Sequence, residues 1–266
     1  MSRFFADIDW TRAWYASVFE AAQAVIAAPA WRDALNQEAN ARGLRNFRDL
    51  PLHFIPQEAL PEGMAYEAHI GATGGVPTRE NLHDFFNALV WLSFPKIKRQ
   101  LNALQAAQID LLGIGKSRGP ARDAATIFDE NAALLVLEDS LSGHEMLELL
   151  QQHQWLEALH WRAKQFQEKV QVWTFGHALM EKLVQPYKGI TAHSWVVWVP
   201  SEYFEWKRQE QARWLDEKVS QQLREHSLTT ADYTPLPVAG VPNWVAHQDA
   251  DFYLDKSVFR EKRVRS

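Results

Sequence analysis

A strongly apolar stretch lies within residues 78–102, TRENLHDFFNALVWLSFPKIKRQLN. Its apolar residues cover most of the circumference of a helix, which is typical of a helix in the middle of a domain. We predict that this helix begins after Thr78 as its N-cap and kinks at Pro95, because proline removes a backbone donor and clashes with the preceding turn. His83 and Asn87 share one face of it. Polar groups cost about 1–3 kcal/mol each when buried unpaired, so these two must be satisfied structurally or kept for a function.

The rest of the pattern predicts more helices than strands. Helices are predicted at about 10–26 with Asp9 as N-cap, 29–43, 142–152, 155–168, 177–185 and 201–226 with Ser201 as N-cap. Strand-like segments are predicted at 66–70, at 190–199 and in a β-hairpin over 124–138 whose turn is Asp129-Glu130-Asn131. Without a regular βαβ alternation, we expect an α+β, predominantly helical single domain over 1–266, with the proline- and aromatic-rich tail 228–266 packed on its body.

Composition excludes several kinds of chemistry. The 266 residues include no cysteine, which removes disulfides, thiolate catalysis and cysteine-ligated zinc. The N-terminus lacks a signal-like apolar run, and no window reaches the roughly 20 apolar residues of a membrane span. We therefore expect a cytoplasmic protein without a membrane partner. The net charge of −5 argues against a surface that binds nucleic acid throughout, but allows a local basic patch.

The first candidate site combines His83 and Asn87 with His177 and Glu181, which lie one turn apart on another predicted helix. Two histidines and a carboxylate, His83, His177 and Glu181, could hold a divalent metal. The same side chains could act as general acid and base without metal. A buried hydrogen-bond network that locks two helices together is the simpler structural interpretation. Asp84 could orient a histidine or cap the helix.

The second candidate is the acidic segment Asp129-Glu130, with Arg122 shortly before it. Carboxylates at a strand end can bind a cation or a substrate. The backbone angles of a hairpin turn also favour Asp and Asn there, and this explains Asp129 better than Glu130.

The third candidate is an anion site. Its cations would be Lys96, Lys98, Arg99, Lys116, Arg118 and Arg122. Asn102 lies one turn after Lys98, and the glycine-rich basic loop predicted over 113–123 could add backbone N–H donors. A solvated loop is the structural alternative. Gly115-Lys116-Ser117 is not a P-loop, because Asp110 stands where that motif needs glycine.

Four segments resemble an uncharacterised bacterial family known only as a domain of unknown function. They are YEAHI…G…VPTRENLHDFFNALVWLSFPKIKRQLN, RDAATIFDEN, FGHALMEKL and PLPVAGVPNW…FY.D..VFR, in this order from about Tyr66 to Arg260. Leu82 stands where the family pattern has tryptophan, and Asn243 where glycine is more usual. The resemblance implies a common fold and a shared polar centre, and it implies no activity.

Two functions follow from these patterns. The first is a small-molecule enzyme, hydrolase-like, in which Lys98 and Arg122 steer an anionic substrate to a pocket lined by the first candidate site. His or Glu would be the base, and Asn87 an orienter or oxyanion donor. Histidine side chains more than about 12 Å apart would exclude this site. The alternative is a binding or scaffolding protein whose aromatic tail and basic end contact a protein partner or nucleic acid.

Overall fold

The computed structural model describes residues 3–112 and 120–262. They form the predicted α+β fold, in which helices predominate. The helices are α1 (Phe19–Ala27), α2 (Trp31–Ala41), α3 (Tyr66–Thr73), α4 (Leu82–Ser93), α5 (Pro95–Leu112), α6 (Pro120–Asn131), α7 (Leu141–Gln151), α8 (Ala163–Lys169), α9 (His177–Lys182), α10 (Arg208–Glu225) and α11 (Ala250–Tyr253). The strands are β1 (His53–Ile55), β2 (Gly75–Pro77), β3 (Ala132–Glu138), β4 (Val170–Thr174), β5 (Thr191–Val199) and β6 (Thr234–Pro237).

The main sheet is mixed and has the strand order β4-β3-β5-β6. β3 pairs with β5 in parallel and with β4 antiparallel, and β6 pairs antiparallel with β5. The strands β1 and β2 form a separate parallel pair. Every residue of β3 is buried, as expected for a central strand covered on both faces.

The main sheet separates two hydrophobic clusters. Leu134 and Val136 of β3 face the larger one, which includes α4, whereas Leu135 and Leu137 face a smaller one together with α7 and the C-terminal segment. This alternation follows from the two-residue period of a strand. The polar centre described below lies on the side of the larger cluster.

The central helix is present, but it is divided into α4 and α5 at Phe94 and Pro95. Residues 84–92 of α4 are all buried, as its apolar circumference predicts. The predicted N-cap was wrong: Asn81, not Thr78, caps the helix, and its side chain accepts a hydrogen bond from the backbone N–H of Asp84. Burial and the nearby helices place α4 at the centre of the larger cluster.

The start of α5 is held by α10. The carboxylate of Asp216 accepts hydrogen bonds from the backbone N–H groups of Lys96 at 3.0 Å and Ile97 at 2.9 Å. These donors have no partner inside their own helix. Asp216 therefore fixes the first turn of the helix that carries Lys98.

The segment at 66–70 is helical, so the predicted strand was wrong. Tyr66, Ala68 and Ile70 alternate with polar residues, but they belong to α3, which ends at Gly74 in the left-handed conformation (φ 77°). A Cβ at Gly74 would lie 2.2 Å from the carbonyl oxygen of Pro51. Glycine at this C-cap position is a helix-end signal that outweighs five residues of alternation.

The predicted β-hairpin over 124–138 was also wrong in its first half. Residues up to Asn131 form α6, and only the second apolar run is a strand, β3. Ala124, Ala125 and Phe128 are buried at helical spacing. Asp129 and Glu130 therefore lie in the last turn of a helix rather than in a hairpin turn.

Two predicted helix starts were too early. Asp9 accepts hydrogen bonds from the backbone and hydroxyl of Thr11 in a local turn, and the helix begins only at Phe19. Ser201 begins a 3₁₀ turn, and α10 begins at Arg208. The helix predicted at 155–168 is divided into a π-helix over Leu156–Trp161 and α8. The other predicted helices and the strand at 190–199 agree with the structure within a few residues.

The C-terminal segment adds β6 to the main sheet and side chains to the core. Leu236, Val241, Tyr253 and Phe259 are buried in the smaller cluster. Within the described ranges, no helix combines the length and the apolarity that crossing a membrane requires.

Candidate functional site

Five helices bring polar side chains to one place. α4 packs against α9, α6 packs against α5 and α9, and α3 packs against α5. Two carboxylates and two imidazoles form a continuous row at the meeting of α4, α6 and α9. We call this row the carboxylate–histidine line, and its members in order are Glu181, His83, His177 and Asp129.

The outer half of the line is hydrogen-bonded and half-exposed. Nδ1 of His83 lies 3.0 Å from Oε2 of Glu181, and because a carboxylate only accepts, the imidazole N–H donates. The two side chains are 35% and 41% exposed, respectively. Nε2 of His83 lies 3.0 Å from Nε2 of His177, and the rings are nearly perpendicular. Both ring nitrogens of His83 are therefore engaged by protein groups.

The inner half of the line is buried and has one open contact. Nδ1 of His177 lies 3.8 Å from Oδ2 of Asp129, too far for a hydrogen bond. This buried nitrogen has no hydrogen-bond partner among the described residues. Two groups that could pair thus face each other without a bond.

Asp129 links the line to a second set of buried polar groups. Its Oδ1 lies 2.5 Å from Nζ of Lys98, and these side chains are 10% and 4% exposed. Lys98 also donates to Oδ1 of Asn87 at 2.8 Å, and Nδ2 of Asn87 donates to the Tyr66 hydroxyl at 2.9 Å. The structure therefore brings Asn87 and Lys98 into contact with the line through Asp129.

Burial and neighbouring charges set the protonation of the inner groups. Burial lowers the pKa of His177 to about 4, although Asp129 opposes the effect, so His177 is neutral at pH 7. Burial alone would raise the pKa of Asp129, but the neighbouring Lys98 ammonium group holds it below the usual value. Burial and the charge of Glu67 raise the pKa of Tyr66 well above 10. The inner part of the site is an ionised Lys98–Asp129 pair beside a neutral imidazole.

The lowered pKa of His177 predicts a stability that falls in acid. The unfolded chain binds a proton at this histidine near pH 6.5 and the folded chain only near pH 4, so the unfolded state is favoured as the pH falls through this interval. Between pH 7 and pH 4 the His177 contribution to the unfolding free energy should drop by on the order of 3 kcal/mol. Urea unfolding of His177→Gln should show a correspondingly shallower pH dependence, whereas His144→Gln, at an exposed ring, should follow the wild type. Equal slopes for wild type and His177→Gln would contradict the assignment.

Gly176 allows α9 to lie against the end of α6. The backbone N–H groups of Phe175 and Gly176 both donate to the carbonyl of Ala132, directly after α6. This close approach places His177, the first residue of α9, beside Asp129. One helical turn later, Glu181 reaches His83.

Other predicted site residues lie away from the line. The carboxylate of Asp84 is held by the backbone N–H and guanidinium of Arg79, at 2.7–3.0 Å. Asn102 donates to the backbone oxygen of Glu67 at 3.0 Å and to its carboxylate at 2.5 Å. Arg122 makes no ion pair with a described residue, although its charge acts on Glu67. None of these three side chains forms a hydrogen bond with the side chain of His83 or His177.

The remaining predicted residues do not form an anion site in the described chain. Glu130 makes no side-chain hydrogen bond with a described residue. Lys96 pairs with Glu217, and Arg99 lies 3.6 Å from Asp49. Lys116 and Arg118 lie outside the described residues.

Sequence patterns gave no role to Tyr66 and Glu67. Both are half-buried on α3 and contact Asn87 and Asn102 on the neighbouring helices. Burial raises the pKa of Glu67 although Lys98 is near. Interpreting the segment as a helix ending at Gly74 would have placed them on one end of a helix rather than on opposite faces of a strand.

The predicted metal ligands do not converge on one point. Glu181 and His177 contact opposite nitrogens of the His83 ring, so a single ion could not meet all three side chains. No group of three or more His, Asp or Glu in the described ranges has a metal-binding arrangement.

Together, these observations define an α+β protein with a carboxylate–histidine centre between helices. The chain belongs to the family described as "Protein of unknown function (DUF3025)", whose model matches residues 52–263. This confirms the resemblance to a family of unknown function. No curated protein and no solved structure matches the chain.

Proposed function

We propose that the protein is a hydrolase-like enzyme that performs general acid–base chemistry on a small molecule at the outer end of the carboxylate–histidine line. One observation carries the proposal: the half-exposed Glu181 is hydrogen-bonded to an imidazole whose other nitrogen is held by a buried histidine. A base that is oriented by a second group, which is itself oriented by a third, is the arrangement used by catalytic triads.

Glu181 is the better base of the two groups that the sequence suggested. Both nitrogens of His83 are occupied, so its ring could meet a substrate only after breaking a hydrogen bond. Glu181 uses Oε2 toward His83, which leaves Oε1 to accept a proton from an attacking water. His83 donates to the carboxylate and fixes its orientation. As the new bond to the substrate forms, the water proton moves to Glu181, from which it can return to the leaving group.

The predicted roles of Lys98 and Asn87 change with this geometry. Lys98 is neutralised by Asp129 inside the protein, so it does not steer a substrate from solvent. Asn87 is buried between Lys98 and Tyr66 and positions those groups rather than an oxyanion. Of the two proposed steering cations, Arg122 is the one without an ion pair to a described residue. Arg122 lies away from the line, where its charge acts on Glu67, so the proposal is limited to a small molecule and does not specify an anionic one.

Side-chain substitution tests the proposal directly. The rates to measure are hydrolysis of p-nitrophenyl acetate and p-nitrophenyl phosphate. Glu181→Gln should lower the wild-type rate by about 100-fold, in the range expected for loss of a general base. His83→Gln should lower it by roughly tenfold or more, because the base loses its orienting donor.

The chain supplies a matched control. His144 and Asp139 form another histidine–carboxylate pair with the same 3.0 Å distance, but they are more exposed, at 54% and 66%. Asp139→Asn and His144→Gln should leave the rates unchanged. A wild type that hydrolyses neither compound would overturn the hydrolase-like assignment, and equal rates in Glu181→Gln and Asp139→Asn would remove Glu181 as the base.

The stability of the same variants separates this proposal from a purely structural network. A half-exposed hydrogen bond contributes only about 0.5–1.5 kcal/mol, so Glu181→Gln should unfold close to the wild-type urea concentration. If the line served only to lock α4 to α9, its loss would reduce stability and leave the hydrolytic rate unchanged.

The binding or scaffolding alternative was suggested by the aromatic tail, and it is less well supported than the enzyme because much of that tail is buried. Tyr253 and Phe259 are buried in the smaller cluster and are therefore unavailable to a partner. Phe252 is only partly buried, but it packs against that cluster and lies under the Lys188 ammonium group. We retain the enzyme as the function that the geometry supports best.

A further inference from the structure

A cavity of about 230 Å³ lies between the segment that follows α9 and the C-terminal part of the chain. Its walls are mainly apolar and come from three places: Trp14 near the N-terminus, the segment 183–190, and the segment 238–252. No residue of the carboxylate–histidine line borders it. The cavity is therefore separate from the proposed catalytic centre.

The size and the walls of the cavity suit a small hydrophobic molecule. An apolar protein cavity of roughly 150 Å³ is large enough to take up benzene, so about 230 Å³ holds a ring with a short substituent. Tyr187 at the rim is 63% exposed, and the cavity is open to solvent on this side. Water inside finds few polar partners, so an apolar ligand gains affinity by displacing it.

The part of the wall formed by Val245 and Ala246 has an unusual backbone. Asn243 and His247, on either side of it, have left-handed conformations with φ of 67° and 60°. Residues other than glycine adopt this conformation uncommonly, and they keep it where neighbouring groups fix the backbone.

Gln248 supplies the groups that fix this wall. Its Nε2 donates to the backbone oxygens of Ala239 and Val241 at 2.8 Å each, and its Oε1 accepts from the backbone N–H of Asn243 at 2.7 Å. One side-chain amide thus ties the wall to the 3₁₀ turn Val238–Gly240, which also borders the cavity. The cavity is therefore preformed, as ligand sites usually are.

A charged side chain, Lys188, borders the cavity beside Phe252. Its Nζ lies 4.3 Å from the centre of the Phe252 ring and 2.8 Å from Oδ2 of Asp255. An ammonium group has three N–H donors, and Lys188 makes no second hydrogen bond within the described ranges. Donors therefore remain for a ligand.

The charge of Lys188 is already matched. Hydrogen bonds from Lys188 and Ser257 lower the pKa of Asp255 to about 2, so this carboxylate is ionised at neutral pH. A ligand carboxylate would add a second negative charge to the pair. A carbonyl oxygen could accept a hydrogen bond from Lys188 and leave the charges balanced.

We propose that this cavity binds a small uncharged molecule with an apolar ring or chain and one carbonyl group. The apolar part lies inside the cavity, and the carbonyl oxygen accepts a hydrogen bond from the Lys188 ammonium group. The ligand class comprises small ketones, esters and amides. This binding site is additional to the acid–base centre and does not depend on it.

Three compounds of similar size test the parts of the proposal: acetophenone, ethylbenzene, which lacks the acceptor, and benzoate, which adds a charge. Their Kd values for the wild-type protein are measured by NMR titration. Acetophenone should bind about tenfold more tightly than ethylbenzene, the difference expected for one hydrogen bond, and more tightly than benzoate. Benzoate as the tightest ligand would refute an uncharged ligand class.

Lys188→Met tests the polar contact. It keeps an apolar side chain of similar length and removes the donors, so acetophenone and ethylbenzene should bind equally well. Lys256→Met is the control, because Lys256 pairs with Glu261 at 2.7 Å and does not border this cavity; it should keep the wild-type preference. A preference for acetophenone that persists in Lys188→Met would overturn the contact.

Ala239→Leu tests the cavity itself. Ala239 is the middle residue of its 3₁₀ turn and borders the cavity, so a larger side chain fills part of the space. Acetophenone and ethylbenzene should both bind about tenfold or more weakly, because apolar burial drives their binding. Ala231→Leu is the control, in the middle of another 3₁₀ turn, Thr230–Asp232, that does not border the cavity.

Ala246→Leu keeps the test decisive if Ala239→Leu does not fold, because Ala246 is exposed and borders the same cavity. It should weaken both compounds in the same way. Unchanged binding in the cavity-filling variants would refute the site, as would a wild type that shows no saturable binding of acetophenone.

Discussion

Replacing Lys98 with methionine should cost about 3–5 kcal/mol of unfolding free energy, the typical cost of removing one partner of a buried ion pair. Lys98 is 4% exposed and its ammonium group meets the Asp129 carboxylate and the Asn87 amide. In Lys98→Met the carboxylate would remain in the core without its cation. Urea unfolding at neutral pH measures the loss.

A second substitution distinguishes the stranded charge from simple loss of packing. Adding Asp129→Leu to Lys98→Met removes the unpaired carboxylate and should recover much of the loss, because apolar groups of similar volume can replace a buried pair at little cost. Lys169→Met, at a lysine that is 31% exposed in its pair with Glu138, should cost less than Lys98→Met. A loss below about 1 kcal/mol in Lys98→Met would show that the pair is hydrated rather than buried.

Gly176→Ala should destabilise the fold by roughly 3 kcal/mol, at the upper end of the usual cost of overpacking, and should disrupt the carboxylate–histidine line. A Cβ at this position would lie 2.3 Å from the carbonyl oxygen of Glu130 and 2.5 Å from the backbone nitrogen of Asn131. Backbone atoms cannot rotate away as a side chain can, so α9 would have to move away from α6. His177 and Glu181 would move with it.

Gly189→Ala is the matched control, because its new Cβ would meet only the Tyr187 side chain, at 3.4 Å. Urea unfolding and the ring signals of His83 and His177 are the measurements. We expect Gly189→Ala to resemble the wild type in both. If Gly176→Ala did so as well, the close approach of α9 to α6 would not position the site.

The sequence predicted the parts of the site that depend on helical spacing. His83 with Asn87, and His177 with Glu181, each lie one turn apart on segments whose apolar residues have a clear helical pattern. Such local spacing is independent of the rest of the fold. Both helices are present, and their polar side chains do approach each other.

The predictions that were wrong, and the contacts that were missed, involve short segments or residues far apart in the sequence. The alternation around Tyr66 and the β-branched residues before Phe128 favour strands locally, but tertiary packing made both segments helical. The ion pair between Lys98 and Asp129 joins residues 31 positions apart, and no spacing rule connects them. The sequence could not show that Glu181 and His177 meet opposite nitrogens of His83, because residue types alone do not tell which ring nitrogen each neighbour contacts.

His83 joins Glu181 to His177 through its two ring nitrogens, and the carboxylate–histidine line depends on this connection. The most direct test is nitrogen-15 NMR of the histidine rings at one neutral pH, in the wild type and in Glu181→Gln. Because the hydrogen bonds are linked through one ring, Glu181→Gln should move the ring-nitrogen signals of His177 as well as those of His83. His177 signals that stay at their wild-type positions would show two independent side chains and would contradict a connected line.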